Sequence, residues 1–294
     1  MIETLLLGAT GFIGSAIKAE LVRRRASCRS LGSKDLDLTL PDSPDKLREL
    51  WNDDTIVVLA SRVSRSMPPW EQFRQNAAIA THAAQALAAR RPRLFVLISS
   101  SSVYGTAATD LAVTEATAVN PESPYAVSKF CGERLLSHAA SQSGASLLIL
   151  RPGMVYGPGD TSTAYGPTRL IRSYLALGEV RLYGDGSELR DNLYVEDLAR
   201  TAVELAETGA RGIFNVGCGV PVSFSEIVAA LTRLTGKPVR VIAEPRLTAK
   251  VDQRLVIDKL LNALPETKFT DLAAGLKQSC RYFSGKNTAN AEKD

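Results

Sequence analysis

The chain has 294 residues, 45% of them apolar, and Lys and Arg exceed Asp and Glu by a net charge of only +4. That is enough to bury a large core, as one big domain or as a domain with a lobe, in an ordinary soluble α/β composition. Basic residues are scattered, with Arg23–Arg25 and Arg90-Arg91 at expected helix ends where cations suit the dipole, so no nucleic-acid partner is implied. No apolar run reaches membrane-spanning length, so no membrane partner is expected either.

In chain order, residues 4–7 read as a first strand. The start lacks a basic n-region and runs into Gly8, so it is not expected to be a signal peptide. Gly8-Ala9-Thr10-Gly11-Phe12-Ile13-Gly14 follows, and then a helical pattern that ends at Arg23–Arg25. Strand, Gly-x-x-Gly-x-x-Gly and helix are the context in which backbone N–H groups and a helix N-terminus cradle a pyrophosphate. Residues 26–31 should be the second strand. Roughly ~20 residues past such a turn an NAD enzyme usually carries an acid for the ribose hydroxyls. Here the chain reads Leu31-Gly32-Ser33-Lys34. Ser33 and Lys34 suit a 2′-phosphate better, which favours NADP, while Asp35 keeps NAD possible.

Asp37-Leu38 comes next with almost no spacer, and Ser43-Pro44 caps a short helix that runs to Trp51. Residues 55–60 form a third strand and 70–90 a long helix. Residues 93–99 form a fourth strand, which ends in Ser99-Ser100-Ser101-Ser102-Val103-Tyr104-Gly105.

The turn signal at Pro121, Ser123 and Pro124 opens a further helix, placing Tyr125 in its first turn and Lys129 four residues on, on the same face. A free tyrosine has a pKa near ~10, and an ammonium beside it favours the phenolate and brings it into range for proton transfer. Residues 146–150 make a fifth strand. Strands alternating with helices predict a doubly wound parallel sheet of Rossmann type, with ligands outside the C-terminal strand ends. Ser99–Ser102 and Arg151-Pro152-Gly153 lie at such ends.

Beyond Arg151 the chain loosens into Gly/Pro-rich stretches, read as excursions into a smaller α/β substrate lobe. The expected division is a dinucleotide-binding domain over 1–165 with 191–218 returning to it. A substrate-binding lobe takes 166–190 and 219–285, and 286–294 form a frayed tail. Within these, 168–177, 196–207 and 223–234 read as helices, and 192–195, 213–216 and 239–242 as strands. Cys28, Cys131, Cys218 and Cys280 are far apart and form no C-x-x-C, which predicts reduced thiols and a cytoplasmic setting. His82 and His138 fall in helical patterns away from the cysteines, so no metal site is expected.

With these pieces in order the chain resembles the extended short-chain dehydrogenase/reductase family, in its NAD(P)-dependent sugar epimerase/dehydratase branch, from Gly8 to about Leu276. The resemblance rests on the Gly8–Gly14 turn and on Ser100 three residues before Val103-Tyr104-Gly105. It rests also on Tyr125-x-x-x-Lys129, on Arg151-Pro152-Gly153-Met154-Val155-Tyr156-Gly157-Pro158-Gly159, and on Gly184-Asp185-Gly186 with Arg190-Asp191-Asn192-Leu193-Tyr194-Val195-Glu196-Asp197.

It implies that Tyr125 is the acid/base on a sugar hydroxyl or ketone. Lys129 would hold the nicotinamide ribose, and Ser100 would hydrogen-bond the reacting oxygen. Gly8, Thr10, Gly11, Phe12, Ile13 and Gly14 would hold the pyrophosphate, and Asp37 and Leu38 would flank the adenine. Ala60, Asn76 and Pro152 would sit near the cofactor, and Ser102, Met154 and Arg190 would face the substrate, with Arg190 on its diphosphate.

Two departures bear on the reaction. Ser101 and Ser102 stand where the dehydratases carry acidic residues, so elimination of water is not expected. Met154 stands where many nucleotide-sugar members carry Asn. The expected function is reduction of a keto group on a nucleotide-linked sugar. The alternatives are an NAD-dependent nucleotide-sugar 4-epimerase and, from another class, a non-catalytic NADP-binding regulator. A homodimer through the long helices is also expected.

Overall fold

The computed structural model describes residues 2–61, 67–106, 112–162, 166–246 and 249–291, the stretch 286–291 by its backbone alone. The first half runs β1 (Glu3–Leu7), α1 (Phe12–Arg23), β2 (Ser27–Leu31), α2 (Ser43–Arg48), β3 (Ile56–Leu59), α3 (Pro69–Ala89), β4 (Leu94–Ile98), α4 (Pro124–Ser143) and β5 (Leu147–Pro152). The second half runs β6 (Met154–Tyr156), α5 (Gly166–Leu177), β7 (Glu179–Tyr183), β8 (Leu189–Tyr194), α6 (Val195–Glu207), β9 (Gly212–Val216), β10 (Pro221–Ser223), α7 (Phe224–Thr235), β11 (Arg240–Glu244), α8 (Asp258–Ala263) and α9 (Leu272–Ala291).

Leu5-Leu6-Leu7, Ile56–Leu59 and Leu94–Ile98 are buried at every position, as expected of parallel strands covered on both faces. Successive residues serve opposite faces. Leu6, Val58 and Val96 pack with Ile17 and Leu21 of α1 and with Leu198 and Ala202 of α6. Leu5, Val57 and Phe95 pack with Ile79, Ala83 and Leu87 of α3 and Leu136 of α4. The doubly wound parallel sheet is therefore present, six strands in the order β2-β1-β3-β4-β5-β9. The order reverses between β1 and β3, which opens a crevice past their C-terminal ends.

The second half builds a smaller core in which Tyr156, Tyr194, Ile171, Ile227, Leu231 and Leu276 gather under α5, α7 and α9. A three-stranded sheet, β10-β8-β6, and a two-stranded parallel one, β11-β7, complete it. The strand expected at 192–195 is β8, and it pairs with β6 and β10, whereas β9 closes the main sheet. The helix expected to reach Trp51 ends at Arg48, and the Trp51 indole instead donates to the Arg90 carbonyl at 3.0 Å. Helix α9 continues to Ala291, past the point where fraying is expected, and residues 292–294 of that tail lie outside the described residues.

A strap from 249 to 257 crosses between the two halves. Gln253 N donates to Leu189 O, Val113 N to Arg254 O, and Val256 N to Val113 O at 2.9 Å.

Candidate active site

A cleft of about 990 Å³ lies past the C-terminal ends of the parallel strands and is closed on its far side by the second half of the chain. At its floor, Gly8 has φ of +84°, and a Cβ there would lie 2.8 Å from Ser61 N. A Cβ on Gly14 would lie 2.0 Å from the Gly8 carbonyl oxygen, so Gly14 lets α1 pack on the turn and does not itself line the cleft. Thr10, Gly11, Phe12 and Ile13 do line it. Gly11 caps α1 without any side-chain hydrogen bond, which leaves the first-turn N–H groups for a ligand at the positive end of the helix. A backbone cradle kept free of side chains fits the pyrophosphate of a dinucleotide.

Ser33, Asp37, Leu38 and Ala60 continue the wall, and Pro152 stands on the other side. Asp35 is turned back, its Oδ2 accepting from Gly32 N at 2.8 Å, so it caps the turn after β2. Lys34 is exposed and lies off the cleft wall. The Asp37 carboxylate accepts from Thr39 N at 2.9 Å and Thr39 Oγ1 at 2.7 Å, which holds it below the usual carboxylate range. Asn76 is buried away from the cleft, beside a small void that Ser61, Ser128 and Lys129 share.

The opposite wall carries the proton chemistry. Ser123 caps α4, its Oγ accepting from Ala126 N at 3.1 Å, and Pro124 follows in the first helical turn where its missing N–H costs nothing. Tyr125 and Lys129 both line the cleft. Lys129 Nζ donates to the Ile98 carbonyl at 3.0 Å and lies 5.9 Å from the centroid of the Tyr125 ring. That carbonyl belongs to the last residue of β4, so the lysine ties the helix to the strand end from which Ser100 emerges. Ser100 caps the short 3-10 turn Ser101–Tyr104 and also lines the cleft, with Ser102 beside it.

Behind this wall lies a buried network that the sequence reading missed. Glu133, one turn beyond Lys129, accepts Ser99 Oγ at 2.5 Å and both arms of the Arg151 guanidinium. Arg151 lies 4.9 Å from the Tyr104 ring, and the Tyr104 hydroxyl donates to Asn215 Oδ1 at 2.7 Å. Burial holds that hydroxyl above its ordinary range. The signal available was the spacing Tyr125, Lys129, Glu133, every fourth residue on one helix face.

On the substrate side, Met154 and Arg190 line the cleft with Gln253 and Thr161, two residues the sequence reading did not name. Arg190 pairs with Glu188 and donates to the Val251 carbonyl, and Glu188 pairs in turn with Arg246. Two guanidiniums around one carboxylate leave a net positive charge there. Asp191, also in the cleft lining, is engaged there, its carboxylate accepting from Cys218 N at 2.8 Å and Gly219 N at 2.9 Å. Among the described residues no group of three or more His, Cys, Asp or Glu could hold a metal ion, and no helix is long and apolar enough to cross a membrane.

Residues 4–217 match the model of the NAD dependent epimerase/dehydratase family. The chain is 33% identical to dTDP-4-dehydro-6-deoxy-D-allose reductase of Streptomyces bikiniensis over 165 residues, 54% of this chain and half of that relative's length. It is 28% identical to UDP-glucose 4-epimerase of Mycolicibacterium smegmatis over 97% of this chain and 99% of the relative. Among solved structures, MoeE5 in complex with UDP-glucose and NAD superposes with a TM-score of 0.81 at 28% identity, covering 97% of this chain and 99% of that one. UDP-glucuronic acid 4-epimerase of Bacillus cereus, with UDP-glucuronic acid and NAD, gives 0.84 at 25% identity over the same shares.

Proposed function

Because the chain belongs to the NAD dependent epimerase/dehydratase family, we propose that it reduces a keto group of a nucleotide-linked sugar, with Tyr125 as the acid that protonates the reacting oxygen. The observation that carries this reading is the meeting of Ser100, Tyr125 and Lys129 on one wall of a cleft whose floor is the Gly8–Gly14 turn. When bound, the dinucleotide supplies or takes a hydride at its nicotinamide. The chain does the rest. The first turn of α1 binds and orients, and Ser100 donates a hydrogen bond to the sugar oxygen. Tyr125 holds the proton that this oxygen gains, and Lys129 places a positive charge beside the phenol. Arg190, with Arg246 offsetting Glu188, is the cation for a substrate diphosphate, and Met154 flanks the sugar.

The cofactor is proposed to be NADP(H). Ser33 lines the cleft after β2, the nearest acid, Asp35, is engaged with Gly32 N, and the Asp37 carboxylate further along the wall is held by Thr39. A homodimer is proposed through the long helices, where Trp70 at the start of α3 is 77% exposed. Four free thiols suit a reducing cytoplasm.

The 4-epimerase reading is the second one, favoured by the near full-length likeness to the mycobacterial enzyme. The experiment is a panel. NADPH or NADH oxidation is followed with dTDP-linked 4-keto-6-deoxyhexoses, and UDP-glucose is incubated with NAD and assayed for the C4 epimer. Net oxidation of NADPH supports the reductase, and epimer without net cofactor turnover replaces it. Fluorescence titration should give tighter binding of NADPH than of NADH, and equal affinities would remove the NADP assignment.

A further inference from the structure

Ser100 is the hydroxyl nearest in role to the reacting oxygen, and its own hydrogen bonds are unusual. Its Oγ accepts the Ser102 amide at 3.2 Å and the Ser102 hydroxyl at 2.9 Å. A serine oxygen has two lone pairs and one proton. Both lone pairs are therefore taken by the same neighbour two residues on. Among the described residues no acceptor takes the Ser100 proton, and both serines line the cleft.

We propose that Ser102 is a positioning residue that fixes Ser100 as a pure hydrogen-bond donor into the cleft. The inference rests on the reading of the site given above. Without the Ser102 hydroxyl, Ser100 could turn its proton away or accept from water. With it, the one direction left for the proton is toward the ligand. Donating into Ser100 also polarises its O–H, since hydrogen bonds in a chain strengthen one another in a low-dielectric site. The benefit is greatest when the sugar oxygen gains negative charge, which occurs in the transition state and not in the bound keto form. Loss of Ser102 should therefore lower kcat more than it raises KM. The position where dehydratases carry an acid is here given to preparing a donor.

The test is a double-mutant cycle on Ser100→Ala, Ser102→Ala and the pair, measured by steady-state turnover of the nucleotide sugar that the native protein accepts in the panel above, with thermal melting of each. Ser102→Ala alone should lower kcat by about 3–10-fold, the size of one neutral hydrogen bond, with KM changed less than about twofold. In the Ser100→Ala background the same substitution should have no further effect, because its route runs through Ser100. Equal losses in both backgrounds, or a loss in KM alone, would mean that Ser102 touches the sugar directly and would overturn the proposal. A lower melting temperature that accounts for the loss would overturn it as well. A Ser100→Ala protein with native turnover would instead remove the underlying reading of the site, so the two failures are distinct.

Discussion

The Glu133 carboxylate and the Arg151 guanidinium meet fork to fork, Nε to Oε1 at 3.0 Å and Nη2 to Oε2 at 2.7 Å, with side chains 2% and 3% exposed. The pair joins α4, which carries Tyr125 and Lys129, to β5, which carries Pro152. Glu133→Ala would strand a buried cation, and breaking such a pair typically costs about 3–5 kcal/mol. Replacing both partners together, as Glu133→Leu with Arg151→Met, should cost less than Glu133→Ala alone. Urea unfolding of the three proteins decides it, and a Glu133→Ala protein as stable as the native one refutes the account.

Tyr125→Phe removes one oxygen and leaves the ring to pack as before. Positioned proton transfer is worth about 10²–10⁴-fold, so kcat should fall by that order while dinucleotide affinity barely moves. Lys129→Ala should differ, weakening cofactor binding as well and freeing the Ile98 carbonyl that Nζ now holds. Turnover at the native rate in Tyr125→Phe would place the chemistry elsewhere.

Arg190→Ala should raise KM for the nucleotide sugar far more than it lowers kcat, because a diphosphate is gripped equally in ground and transition states. Charge-assisted hydrogen bonds of this kind are worth roughly 1.5–3 kcal/mol, or about 10–150-fold in KM. Glu188 keeps Arg246 as a partner in the variant, so stability should change little. An unchanged KM would show that Arg190 serves only the ion pairs.

Acid should weaken the ion pairs at the end of α1. Arg23 first, and then Arg24, hold the Glu20 carboxyl down from its ordinary 4.5 to about 2. Arg24 also reaches Glu204 at 2.6 Å and Glu207 at 2.7 Å on α6. A carboxyl lowered on folding stabilises fully above its unfolded value and loses that contribution as pH falls through its folded one. Native protein and Glu20→Gln should therefore differ in melting temperature near neutrality and converge as pH drops from 4.5 to about 2. Parallel melting curves across that window would contradict the pairing.

Much of the frame was legible because its signals are local. Leu5–Leu7 and Leu94–Ile98 are unbroken apolar runs, and the Gly8–Gly14 turn needs its glycines for steric reasons. The spacing of Tyr125 and Lys129 survives into the structure because both stand on one uninterrupted helix face. Side-chain direction at strand ends was less accessible. Arg151 and Pro152 are neighbours, yet alternation turns Arg151 inward to Glu133 while Pro152 lines the cleft. Lys34 reads as a phosphate ligand by position, but the turn that Asp35 makes on Gly32 leaves it outside the wall. Strand β6 is too short to announce itself, and β7 finds its partner β11 only across two helices, α6 and α7, and the three strands β8, β9 and β10 of other sheets.

The strap from 249 to 257 has a consequence for how the protein comes apart. It leaves Val113 and Leu189 with backbone partners supplied from beyond the family-matched stretch, and Asn215 Nδ2 reaches the Val256 carbonyl at 3.4 Å. A fragment cut at residue 217 would keep every strand of the main sheet but strip these groups of their partners beside Tyr104 and Asn215. Such a fragment should be poorly soluble and should not hold dinucleotide. The whole chain, for the same reason, should melt in one calorimetric step and not as two modules in succession.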